Sequence, residues 1–211
     1  MAFLLSSATI VQAQSDIVQG ELKISDIEGT PLTFSLDDFD RFGQSVTSIG
    51  DLDGDGIPDL AVGAPLDDDG GRNAGAVYVL FMNADGTVDR HQKISPLEGD
   101  FSGVLETDDV FGVSVAALGD INGDSVPDIA VGAPGTDDGG NNHGAVWILL
   151  LKSDGKVLEQ FKISETEGSP DAFTLDFNDE FGTSVTSMGD LDEDGVIDLA
   201  VGAYQDGAEM G

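Results

Sequence analysis

The sequence predicts an all-β chain assembled from repeated four-stranded antiparallel units, and three observations carry that reading. Phe42-Gly43 recurs as Phe111-Gly112 and Phe181-Gly182, at offsets of 69 and 70 residues. Each pair is followed at the same distance by an acidic nonapeptide: DLDGDGIPD from Asp51, DINGDSVPD from Asp120 and DLDEDGVID from Asp190. After each comes a short apolar run, LAVGAP at 60–65, IAVGAP at 129–134 and LAVGAY at 199–204, and no segment carries a sustained helical period. Four-stranded units of about 70 residues repeated along a chain predict blades of a β-propeller. A β-sandwich of many short strands is the alternative, but it does not require identical units.

Taken in order, the first strand of a unit runs from Phe-Gly to the acidic loop and the second passes through Ala-Val-Gly-Ala. The third is GAVYVLF from Gly75 or GAVWILL from Gly144. Asp85-Gly86 or Asp154-Gly155 then forms a hairpin turn into the fourth, which ends in Lys-Ile-Ser at 93–95 and 162–164. Lys-Ile-Ser also stands at 23–25, so ATIVQAQSDIVQGELKIS aligns as an outer hairpin whose inner half is absent. Residues 1–37 are therefore read as that incomplete blade, 38–106 and 107–176 as two blades, and 177–211 as the inner half of a third. Residues 1–13 also have the look of a secretory signal, with small residues around Val11-Gln12-Ala13, but they hold no Lys or Arg and are broken by Ser6, Ser7 and Thr9. Repeat alignment favours a strand there.

Composition narrows the function. Against 41 Asp and Glu stand 8 Lys and Arg, a formal charge of −33, which repels nucleic acid and anionic membranes. No run of about 20 apolar residues inserts into a bilayer. With 40% hydrophobic residues and 29 glycines the chain is folded and turn-rich rather than a disordered acidic tail. The absence of cysteine excludes disulfides, thiolate zinc sites and a cysteine nucleophile. There is no G-x-S-x-G elbow, and His91 and His143 sit in non-equivalent contexts read as solvated surface, so the chain is read as non-enzymatic.

The nonapeptides carry the chemistry. Asp51, Asp53, Asp55 and Asp59 place carboxylates at positions one, three, five and nine of a tight loop, where mutual repulsion calls for a cation. An all-oxygen donor set favours a hard divalent ion, and calcium above magnesium because it accepts six to eight flexibly arranged oxygens. The backbone carbonyl of position seven, Ile57, Val126 or Val196, supplies a further ligand, and Gly56 permits the sharp turn. An EF-hand would need Glu at position twelve, which is Val62, Val131 or Val201 inside a strand. Loop two offers Asp120, Asn122, Asp124 and Asp128 with Ser125 at position six; loop three offers Asp190, Asp192, Asp194 and Asp198. Of about three calcium sites, the second should bind most weakly.

Phe-Gly, a calcium-type loop and Gly-Ala-Pro together resemble the FG-GAP repeat of integrin α-subunit propellers, over essentially the whole chain; Tyr204 replaces the proline of the third copy. The resemblance implies structural calcium, an extracellular or cell-surface location, and an adhesion or recognition role with ligands on the face opposite the calcium loops. There lie the loops 64–75 and 133–144 and the connections 96–110 and 165–180. Asp67, Asp68, Asp69, Asp137 and Asp138 make that face acidic, suited to a basic protein or a cation-bridged polysaccharide. Phe39, Phe42, Phe111, Phe177 and Phe181 are expected to pack between blades. The alternatives are a non-catalytic propeller attached to a secreted hydrolase or phospholipase, and a homo-oligomeric propeller lectin. Three units do not close a ring of four to eight blades. The chain reads as a piece of a longer repeat protein stopping mid-blade at Gly211, or as copies completing each other's split blade, two chains giving six blades.

Overall fold

The computed structural model describes residues 2–5, 8–12, 20–25, 30–31, 36–168 and 174–205; Ala13, residues 169–173 of the last connection and Gly211 lie outside them. Every element among the described residues is a strand. β1 (Ala2–Leu5), β2 (Ala8–Gln12), β3 (Gly20–Ser25) and β4 (Thr30–Pro31) form one sheet in chain order. β5 (Val46–Gly50), β6 (Asp59–Ala64), β7 (Ala76–Met82) and β8 (Val88–Ile94) form an antiparallel meander. β9 (Ser114–Gly119), β10 (Asp128–Ala133), β11 (Ala145–Leu151) and β12 (Val157–Ile163) repeat it, and β13 (Phe181–Gly189) pairs with β14 (Asp198–Ala203). These open sheets are blades of a partial β-propeller. The β2–β3 hairpin shares the register of the full blades, Thr9 facing Lys23 as Tyr78 faces Lys93 and Trp147 faces Lys162. β1 lies along β2 in the place that β6 and β10 take beside β7 and β11.

Period-two alternation decides how the sheets stack. On β7, Tyr78, Leu80 and Met82 join Leu60 and Val62 in a cluster that takes in Ile24 of β3. The intervening Val77, Val79 and Phe81 join Phe111, just before β9, and Ile129, Val131, Leu149 and Leu151 of the next sheet. The far face of that sheet packs Ala130 and Val146 against Val185, Leu199 and Val201 of β13 and β14. Because the sheets follow one another in chain order, β6 and β10 are buried along their whole length, whereas β14 is only half-buried or exposed. Each large apolar side chain so buried contributes about 1.5–3 kcal/mol.

The recurrent dipeptides are the two sides of one contact between units. A Cβ on Gly63 would lie 1.9 Å from the carbonyl oxygen of Gly112, and one on Gly132 would lie 1.9 Å from that of Gly182. Only glycine lets the backbones approach so closely. Ser45 Oγ and Ser114 Oγ donate to the same two carbonyls, at 2.8 and 2.7 Å. Phe111 N donates to Ala74 O at 3.0 Å and Phe181 N to His143 O at 2.9 Å. Phe42 and Phe111 are buried as expected, and Phe181 packs against the third cluster. Phe39 and Phe177 do not pack between blades: they are 88% and 55% exposed, because they stand in the turns before the Phe-Gly pairs, outside the facing strands.

Candidate metal centre

The acidic loops join β5 to β6, β9 to β10 and β13 to β14, at the same edge as the Asp-Gly hairpins. Their first aspartate organises the turn. Asp51 Oδ1 accepts from Gly54 N at 2.8 Å and Asp55 N at 3.0 Å, and its Oδ2 accepts from Gly56 N at 2.9 Å. Asp120 receives Gly123 N, Asp124 N and Ser125 N in the same way, and Asp190 receives Asp194 N and Gly195 N. Position three takes the position-five N–H: Asp53 from Asp55, Asn122 from Asp124, Asp192 from Asp194. Position five takes the N–H of position seven, so Asp55, Asp124 and Asp194 fix Ile57, Val126 and Val196, the residues whose carbonyls the sequence nominates. Position six is left-handed throughout, with φ of 89° at Gly56, 90° at Gly195 and 71° at Ser125. A serine there costs about 1 kcal/mol that glycine avoids.

Position nine locks the loop onto the sheet. Asp59 is buried; its Oδ2 accepts from Leu52 N at 2.9 Å and its Oδ1 from Met82 N, at the end of β7, at 3.0 Å. Asp128 does the same with Ile121 N and Leu151 N, and Asp198 accepts from Leu191 N at 2.7 Å. Burial raises the pKa of both Asp59 and Asp128 against these N–H bonds, and the neighbouring loop aspartates raise it further. That is the electrostatic condition a bound cation relieves.

Two groups of three carboxylates converge among the described residues, each with oxygens within 4.8 Å of one another: Asp51, Asp53 and Asp59, and Asp190, Asp192 and Asp194. Asp55 and Asp198 stand outside these groups. In loop two, Asn122 takes the place of Asp53, and its Nδ2 donates to Asp124 Oδ2 at 2.9 Å. All the side-chain donors are oxygen and the first and third loops bring carboxylates together, so these groups can hold a divalent metal ion.

Several polar residues that the motifs did not single out complete the blades. Arg90 on β8 reaches Asp53 Oδ2 at 3.0 Å while its guanidinium lies 3.2 Å from the centroid of Phe81. Lys93 binds Asp67 at 2.7 Å and Asp69 at 2.6 Å, and Lys162 binds Asp138 at 2.5 Å and Glu167 at 3.0 Å. Burial alone would lower the pKa of both ammonium groups, but these carboxylates outweigh it and raise them. Ser95 and Ser164 donate to Asp69 and Asp138 at 3.0 Å each. Lys-Ile-Ser therefore clamps the loop between the second and third strands of its own blade, and Asp67, Asp69 and Asp138 are committed internally rather than offered to a basic partner. The repetition of Lys-Ile-Ser was the signal for this role. Likewise Asp40, Asp109 and Asp179, each two residues before a Phe-Gly pair, are buried. Burial is the largest influence pushing Asp40 and Asp109 up to about 6.

The histidines also differ from expectation. His143 is buried rather than solvated, with Nδ1 at 2.5 Å from Glu165 Oε2, because the turn before β11 folds over it at Gly140. His91 is half-buried beside Tyr78, ring centroids 6.4 Å apart, and burial lowers its pKa.

A family model described as FG-GAP repeat matches residues 42–80 and 111–149. Among curated proteins, integrin alpha-11 of Homo sapiens is 38% identical over 164 residues, 77% of this chain and 12% of that protein. Integrin alpha-6 of Gallus gallus is 36% identical over 170 residues, 80% of this chain and 14% of that protein. Integrin alpha-PS2 of Drosophila melanogaster is 34% identical over 172 residues, 77% and 11% respectively. The chain thus spans 11–14% of the length of these relatives.

Proposed function

The chain is built of FG-GAP repeats like those of the integrin α-subunits, and from that premise we propose that it is a calcium-binding propeller segment working as a non-enzymatic, extracellular adhesion or recognition module. The observation that carries calcium is the convergence of carboxylates within 4.8 Å in hairpins that already anchor each aspartate on backbone N–H groups. A cation in the first loop would be held by Asp51, Asp53, Asp55, the carbonyl of Ile57 and Asp59. In the second it would be held by Asp120, Asn122, Asp124, the carbonyl of Val126 and Asp128, and in the third by Asp190, Asp192, Asp194, the carbonyl of Val196 and Asp198. The metal's part is to neutralise crowded carboxylates and so fix the first hairpin of each blade. The loops at the opposite edge are the surface for a protein or polysaccharide ligand.

Calorimetric melting with and without chelator tests this. Occupancy at a hundredfold excess over Kd adds about 2.7 kcal/mol per site, so chelation should lower Tm by at least several degrees. An identical melt in chelator and in millimolar calcium would overturn the reading.

A further inference from the structure

The first acidic loop contains its own cation. Arg90 reaches Asp53 Oδ2 at 3.0 Å from β8, two strands away from the loop. It cannot swing freely, because its guanidinium lies 3.2 Å from the centroid of the buried Phe81 ring, directly across the strand pair. Asp53 belongs to the group whose carboxylates converge within 4.8 Å, so the fixed positive charge sits beside a carboxylate the metal would use. The second blade departs from the first at both ends of this pair. Asn122 stands for Asp53, and Glu159, facing Leu150 as Arg90 faces Phe81, stands for Arg90. A neutral loop residue thus accompanies an acid on the outer strand, and a charged one accompanies a base.

Resting on the calcium reading, we propose that Arg90 is a built-in counter-ion that weakens divalent-cation binding at the first loop and narrows its difference from the second. A unit charge about 5 Å from a divalent ion in a water-like dielectric opposes binding by a factor of roughly ten. The same charge neutralises part of the loop's repulsion when no metal is bound, so it stabilises the free state that the metal must displace.

Calcium titration calorimetry on the full chain tests the proposal with Arg90→Gln, with Arg90→Met and with Asp51→Asn as the site marker. Arg90→Met keeps an apolar stem on Phe81, so a packing defect in the glutamine variant does not obscure the result. Both Arg90 variants should tighten one site about tenfold, and urea melts in chelator should show each still folded. If Asp51→Asn removes one site from the wild-type titration while both Arg90 variants leave affinity unchanged or weaken it, the counter-ion proposal falls and calcium binding stands. If the wild-type chain takes up no calcium, both fall.

Discussion

The blades β5–β8 and β9–β12 share a backbone frame and differ in what they enclose. In both, the loop after the second strand turns on the same bonds: Gly75 N to Asp67 O and Gly144 N to Thr136 O, each 2.9 Å. In both, a lysine of the fourth strand holds the acid two residues further on. Inside the first blade Tyr78 OH donates to Asp67 Oδ2 at 3.4 Å. Inside the second the same positions carry Trp147 and Thr136, and neither Trp147 Nε1 nor Thr136 Oγ1, both buried, has a hydrogen-bond partner among the described residues. The repeat therefore conserves interactions that make the backbone turn and stack, while the space under the loop is solved separately in each blade. Stacking contacts involve main chain from two units, so one substitution disturbs both; an enclosed pair answers only to its own blade.

The largest expected effect follows from the shared frame. Gly132→Ala would put a methyl 1.9 Å from the Gly182 carbonyl oxygen, and Gly63→Ala would do the same at Gly112. Neither carbonyl can move without losing the serine bond that holds it. Each substitution should cost about 3 kcal/mol in urea unfolding, by overpacking against main chain. Costs that differ by more than about 1 kcal/mol would break the claim that the two junctions are equivalent.

Much of this was legible in sequence because repetition turns a weak local pattern into a strong one. Three Phe-Gly pairs and three nonapeptides located the first two strands of each unit, the paired GAVYVLF and GAVWILL and the Lys-Ile-Ser repeats located β7, β8, β11 and β12, and the Asp-Gly dipeptides located both hairpins. The acidic loops were legible as loops, but not which carboxylates meet: Asp51, Asp53 and Asp59 converge in the first and Asp190, Asp192 and Asp194 in the third, leaving out position five in one and position nine in the other. Arg90 was not legible, because its approach to Asp53 depends on β7 lying between their strands, a distance no linear spacing records. Asp67 and Asp69 were misread as a free acidic face for a similar reason: their partner, Lys93, is brought back only by the closing of the β7–β8 hairpin. His143 was misplaced because Ala74, its counterpart in the first blade, gives no hint that the position is enclosed.

A smaller effect sharpens the comparison at the buried aspartates before Phe-Gly. Asp109, pushed up to about 6 chiefly by burial, accepts from Glu106 N at 2.9 Å. In the unfolded chain an aspartate releases its proton near 3.9, so between about pH 4 and pH 6 the folded state binds more protons and stability falls as pH rises. Asp109→Asn keeps the acceptor and removes the titration. It should gain about 2 kcal/mol at pH 7 and nothing at pH 4, read from urea melts in chelator. Asp40, also at about 6, is raised first by burial and then by Asp67 and Asp37, with Lys93 opposing; Asp40→Asn should therefore show the same pH slope. A slope in one blade alone would show that the frame does not extend to these carboxyls.

The smallest effect tests whether the enclosed pairs are interchangeable. Trp147→Tyr alone gives up the edge contact with Phe101, ring centroids 5.2 Å apart, and Thr136→Asp alone adds a buried acid beside a lysine already bound to Asp138 and Glu167. Each single change should destabilise. Together they recreate the Tyr78–Asp67 pair, and the double-mutant cycle should return a favourable coupling of about 1 kcal/mol, the size of one buried hydrogen bond. The reverse transplant, Tyr78→Trp with Asp67→Thr, should return a coupling of about the same size, since each single change already breaks the hydrogen bond that the double change loses only once. No coupling in either transplant would mean that shape, not the hydroxyl–carboxylate bond, distinguishes the two interiors, because ring and loop volumes would then account for the whole difference.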